Sequence, residues 1–233
     1  MQDNLFETTA LALQLLFSFD PDLWDIIGVS FRVSLTAIAI ATLPAALVGF
    51  LLAMLDFKGR TAVIAIFNAL MAAPTVVVGL TLYLLLSRSG PFGDFHLLFT
   101  QPAMVIGQVA LAFPLLVCMS HSAFQAIDKR AWETARTLGA NCCMAVITIM
   151  REARFALLAA VVAAFGRIIS EVGCSMMIGG NIMGYTRNIP TAIALETSKG
   201  MFAQGIALGL VLLLLALLLN VTLVSVRGKG RLV

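Results

Sequence analysis

Charge is what this chain has least of. Only 12% of its 233 residues are Asp, Glu, Lys or Arg, against 61% hydrophobic, and the mean hydropathy is +1.01. A soluble domain carries about 25% charged and roughly 45–50% apolar residues. This chain therefore lacks the polar surface a soluble fold needs, and its composition fits a chain solvated by lipid. The net charge of +3 is too small to point to nucleic acid. Linkers rich in Pro, Ser or Gly are missing, which predicts one membrane domain over residues 1–233. The four cysteines (Cys118, Cys142, Cys143, Cys174) form no CxxC. Adjacent Cys142 and Cys143 lack zinc-ligand spacing, so all are read as packing residues. His96 and His121 are not spaced as a metal pair. No Lys or Arg precedes Arg32, so the start lacks the basic opening of a cleavable signal peptide. There is no GxxxxGK[ST], so the chain by itself cannot cradle ATP phosphates. No nucleophile–base constellation or internal repeat is present, and the expectation is no enzyme and no bound cofactor or metal.

What the chain does have is long apolar runs. Five read as spanning helices, at about 26–55, 61–86, 102–124, 155–178 and 201–226, each with room for the roughly 20 residues a bilayer requires. The expected class is all-α and polytopic, with a transmembrane core over 26–226 and an outer N-terminal segment over 1–25. Residues 5–19 are apolar but shorter, interrupted by Glu7 and Gln14, and read as an interfacial helix. Pro44, Pro74 and Pro114 fall near the middles of the first three spans. Each is open to two readings: a kink that shapes a cavity, or the proline common in membrane helices.

The basic residues set the orientation. Ten fall on one side: Lys58, Arg60, Lys129, Arg130, Arg136, Arg151, Arg154, Arg227, Lys229 and Arg231. Three fall on the other, Arg88, Arg187 and Lys199, and Arg32 and Arg167 lie within spans. Basic loops mark the cytoplasmic side, so the N-terminus is expected outside and the C-terminus inside.

One polar segment, 128–152, interrupts the apolar pattern on the cytoplasmic side. Asp128 can cap a helix that carries Ala131, Ala135 and Leu138 at helical spacing. Gly139 can end that helix in the left-handed conformation, and Asn141 can cap the next one. The segment is too short and too polar to span, and an apolar patch on such a loop packs on membrane helices or meets a partner.

This pattern resembles the cytoplasmic loop of permease subunits of ABC importers: Glu-Ala-Ala, three residues, Gly, nine residues, Ile, one residue, Leu-Pro. Here Glu133-Thr134-Ala135 is followed by Gly139 and Ile149 at the same spacing. Thr134 replaces the first Ala, and Arg151-Glu152 replaces Leu-Pro. The resemblance covers about 26–226 and implies the smaller, type I permease fold with five core helices. It implies that Glu133, Ala135, Gly139 and Ile149 belong to a coupling loop that docks on a separate ABC ATPase. It also implies an extracytoplasmic binding protein, a second copy of this chain as partner, and ATP used by the ATPase alone.

A second polar island runs from Gly166 to Gly200. Arg167 and Glu171 are four apart on one helix face. Ionisable groups in a membrane face a partner or a cavity. This pair either fixes helix packing or lies at the pathway or its gate. Gly179-Gly180-Asn181 breaks the helix, and Pro190 prevents simple continuation, leaving 191–199 as a short outer or re-entrant helix. Arg187 and Lys199 either attract an anion or sit at the headgroups. Ser170-Glu171-Val172-Gly173, with Gly179-Gly180-Asn181 and Thr186-Arg187, looks like the tungstate branch of the oxyanion importers. Molybdate permeases are similar, with Gly-Glu-Phe-Gly at that place. The candidate pathway residues are therefore Arg167, Ser170, Glu171, Gly173, Asn181 and Arg187, in an inner-membrane permease for tungstate, with molybdate or sulfate as alternatives. An ATP-independent transporter or channel, and a membrane anchor or sensor, are the readings from other classes.

Overall fold

The computed structural model describes residues 13–14, 17–18, 20–127, 134 and 137–229. The expected interfacial helix over 5–19 falls largely outside the described residues. So do the Asp128 cap, Lys129, Arg130, Ala131, Trp132, Glu133, Ala135, Arg136 and Arg231. Among the described residues there are nine α-helices and no strand: α1 Pro21–Met54, α2 Arg60–Met71, α3 Thr75–Leu86, α4 Gln101–Gln125, α5 Cys142–Glu152, α6 Arg154–Ile169, α7 Gly173–Gly179, α8 Ile189–Ser198 and α9 Phe202–Lys229. A short 3-10 turn, Gly93–Phe95, lies between α3 and α4.

Among the described residues three helices are long and apolar enough to cross a membrane: α1, α4 and the Phe202–Ser225 part of α9. Two bent pairs, α2 with α3 and α6 with α7, bring the number to five if each is one span. A helix satisfies its own backbone polar groups, which is why apolar runs in lipid adopt it. Pro44 and Pro114 sit inside α1 and α4, and both helices continue through them. Pro74 acts differently. Its ψ is 124°, and its carbonyl accepts from the N–H groups of Val77 and Val78. It thus starts α3 rather than extending α2. The expected span over 61–86 is therefore two helices bent by 96° at this proline. The physical reason is that proline offers no N–H to the preceding turn and restricts the residue before it.

The chain forms two compact units. The first comprises Met1–Ala37, Ala73–Leu111 and Phe165–Leu218. Leu23, Ile27, Ile189, Ala192, Ala207 and Leu208 form one of its cores. Elsewhere in this unit α3, α4 and α7 approach closely. A Cβ on Gly79 would lie 2.8 Å from the Cα of Cys174, and one on Gly173 would lie 2.8 Å from Val76 Cγ2. The second unit comprises Ile38–Ala72, Ala112–Ala164 and Leu219–Val233. Its core joins Phe50, Phe124, Ile149 and Ala153, with Phe50 and Phe124 edge to face at 5.3 Å.

Gly79→Val pushes a branched side chain against backbone. We expect it to cost about 1–3 kcal/mol and to lower the thermal midpoint of the detergent-solubilised protein. Gly28→Ala, which meets nothing within 4 Å, leaves it unchanged.

Candidate functional site

The polar segment after α4 has the predicted helix–turn–helix punctuation where it is described. Gly139 has φ 86°, the left-handed backbone that closes a helix, with open space where a Cβ would stand. Asn141 caps α5, its side chain accepting from the Met144 N–H at 2.8 Å. Ile149 is fully buried among Phe50, Phe124 and Ala153. Leu138, Met144 and Ile147 are exposed. One face of α5 is therefore anchored in the second unit, and another leaves apolar side chains uncovered. Uncovered apolar groups on a segment too short to span mark a partner surface. Glu133 and Ala135 lie outside the described residues.

The break between α6 and α7 gathers the first group of candidate pathway residues. Arg167 donates to Glu171 Oε2 at 2.8 Å, the arginine half-exposed and the carboxylate buried. The other oxygen, Oε1, accepts from the Cys174 N–H at 3.3 Å in the first turn of α7. Thr75, in the first turn of α3, stands beside this carboxylate. Glu171 thus satisfies one helix N–H freed by the break while holding its own cation. An ionised carboxylate suits this place, since helix N-termini carry partial positive charge. Gly173 allows α7 to approach Thr75 and Val76. The exposed Ser170 hydroxyl donates back to the carbonyls of Gly166 and Arg167.

The second group follows α7. Gly180 and Asn181 both have positive φ, 69° and 52°, and end the helix. The Asn181 side-chain amide donates to the Thr191 carbonyl at 3.4 Å. Buried Thr186 donates to the Gly179 carbonyl at 2.6 Å and accepts from the Ile182 N–H at 2.9 Å. Asn188 and Thr191 form a reciprocal cap on α8, with Pro190 in its first turn. The Ile189 N–H donates to Ser30 Oγ on α1 at 2.7 Å. Arg187 lies 3.7 Å from Glu196 Oε1, and both side chains are nearly covered, at 12% and 8% exposure. Lys199 reaches the same oxygen at 3.0 Å.

The structure therefore joins Arg167, Ser170, Glu171 and Gly173 at one break, and Asn181 with Arg187 in one loop. Arg187 and Lys199 share a carboxylate. Sequence reasoning missed Glu196, Asn188, Ser30 and Thr75. The Glu196–Lys199 spacing of three on a helix was a usable signal, as was Asn188 three residues before Thr191 with proline between. Nothing local announces Ser30 or Thr75, whose partners are distant in sequence. Among the described residues no cluster of His, Cys, Asp and Glu could hold a metal.

Comparison with known proteins gives a consistent picture. The family model described as binding-protein-dependent transport system inner membrane component matches residues 45–227. The chain is 40% identical over 218 residues to the tungstate uptake system permease protein of Peptoclostridium acidaminophilum, covering 94% of this chain and 96% of that one. It is 28% identical over 182 residues to the molybdenum transport system permease protein of Escherichia coli K12, covering 75% and 79%. An inward-facing structure of the MetNI methionine ABC transporter is similar with a TM-score of 0.61 at 16% identity, over 99% of this chain and 98% of that one.

Glu196→Gln removes the carboxylate from a largely buried arginine and should destabilise the protein by about 3–5 kcal/mol. Lys199→Met removes a half-exposed partner and should cost under about 1 kcal/mol. Thermal unfolding in detergent reads both, and a larger loss for the lysine variant would contradict the assignment.

Proposed function

The chain belongs to the binding-protein-dependent transport system inner membrane component family, and from that premise we propose that it is the permease of an ATP-driven tungstate importer. The observation that carries the cargo is the contrast in likeness: 40% identity across nearly the full chain to a tungstate permease, against 28% over three-quarters of it to a molybdenum permease. In this reading an extracytoplasmic binding protein selects the oxyanion and a separate ATPase drives the cycle. Two copies of this chain enclose the path, and lipid covers their outer faces. The path holds the anion weakly, since cargo must leave as well as enter. Molybdate or sulfate is the alternative cargo. An ATP-independent carrier is the less favoured class, since the chain has no internal repeat.

The segment 128–152 is the ATPase-coupling element, with Glu133, Ala135, Gly139 and Ile149 as its residues. Support comes from the left-handed Gly139, the buried anchor Ile149 and the uncovered Leu138, Met144 and Ile147. The gate lies at the α6–α7 break. Glu171 there links the start of α7 to Arg167, so its rearrangement would free both together. Asn181 and Arg187 shape the loop beyond α7, and Arg187 acts within the Glu196 network rather than as an unpaired cation. The distribution of basic residues supports an N-terminus outside and a C-terminus in the cytoplasm.

The cargo is tested by cellular tungsten and molybdenum, measured by mass spectrometry at trace supply with this chain deleted and restored. Tungsten alone should fall and recover. A fall in both makes the system a shared oxyanion importer, and no change in either removes the cargo assignment. For the coupling element, Gly139→Pro cannot adopt φ 86°. It should abolish ATPase stimulation by loaded binding protein, while Gly139→Asn, which tolerates that conformation, retains it. Full stimulation in a folded proline variant would refute the role.

A further inference from the structure

The corner between α1 and α2 is bridged by one of the basic residues of that side, Arg60. Helix α1 ends at Met54, so the carbonyls of its last turn have no helical N–H to receive. Arg60, the first residue of α2, reaches back to them. Its Nε donates to the Leu52 carbonyl at 2.6 Å and its Nη2 to the Ala53 carbonyl at 3.4 Å, while Nη1 pairs with Asp56 at 2.8 Å. Each of the three guanidinium nitrogens is engaged, and the side chain is 24% exposed. Gly59, with φ 94°, supplies the left-handed turn just before α2.

A cation is favoured at a helix C-terminus and disfavoured at an N-terminus. Arg60 sits at both, and Asp56 offsets the unfavourable end. The planar fork also matters, because one ammonium could not hold two carbonyls and a carboxylate in these directions. The end of α1 clamped in this way is the same end that carries Phe50, Ala53 and Met54. Those side chains pack in the core that anchors Ile149 and Val146 of α5. Motion delivered to α5 therefore meets the end of α1 through close packing, and the end of α1 is held to the start of α2 by Arg60.

We propose that Arg60 is a positioning residue of the ATP-driven cycle, locking the α1–α2 corner so that displacement of α5 carries the first turn of α2 with it. This rests on the reading of α5 as the coupling element. The test uses the full complex of permease, ATPase and binding protein in vesicles, with Arg60→Lys and, as a second variant, Asp56→Asn. Arg60→Lys should leave ATPase stimulation near the wild-type level and lower tungstate imported per ATP about tenfold, the weight of one charge-assisted hydrogen bond. Asp56→Asn, which keeps the carbonyl bonds, should lower it less. Uptake and ATPase falling in proportion, or neither changing, overturns the proposal. Hydrogen exchange gives a readout independent of cargo. In the wild type, ATP should alter exchange in both 142–152 and 52–63. In Arg60→Lys the response of 142–152 should persist and that of 52–63 vanish. An identical response of 52–63 in both proteins overturns the role of Arg60. A wild-type complex that imports no tungstate while showing these exchange changes refutes the cargo and leaves the clamp standing.

Discussion

A helix that stops inside an apolar chain leaves N–H and C=O groups that lipid cannot satisfy, and each such group costs several kcal/mol if left alone. That constraint organises the polar residues of this protein. They are few, and many stand at helix ends. Arg60 takes the last carbonyls of α1. Glu171 receives an N–H at the start of α7. Thr186, Asn188 and Ser30 together serve the end of α7 and the start of α8. Outside the spans, exposed Asn141 caps α5 by the same chemistry. The breaks permit bent spans and a short helix between α7 and α9, and these side chains make the breaks tolerable.

The same economy governs charge. Every ion pair seen among the described residues involves a residue beside a helix terminus. The pairs at Glu171 and Glu196 bury the carboxylate and leave one cation partly open to solvent. A buried carboxylate with a half-exposed arginine is easier to rearrange than a fully buried pair, because the cation can be rehydrated without first leaving the protein. The α6–α7 break is thus a place where a conformational step is physically affordable, and the arrangement around Glu196, with Arg187 almost covered, is one where it is not.

Much of the fold was legible in advance. Long apolar runs dictate helices, and the five expected spans agree with the long helices once each bent pair is taken as one. The turn at Gly139 and the cap at Asn141 were legible because both depend on a single residue's own chemistry. The Arg167–Glu171 pair was legible because a spacing of four on a helix brings side chains together. Pro74 was ambiguous for a related reason. Proline at mid-span either kinks a helix or ends it, and Pro44, Pro114 and Pro74 differ in outcome though not in local signal.

What the sequence determined by itself was the solvent of the chain, its helical class, the interruption between α4 and α5 and the local punctuation of its turns. These follow from composition, periodicity and the preferences of residues close in sequence. Tertiary structure alone decided which distant groups meet: Ser30 with the start of α8, Thr75 with Glu171, Arg187 with Glu196, and Gly79 against Cys174. The physical reason is that a helix side chain's direction is set within its own turn, while its partner depends on how separate helices pack. Many packings satisfy the same apolar pattern, and close approaches at glycine together with a small set of polar contacts distinguish the one adopted.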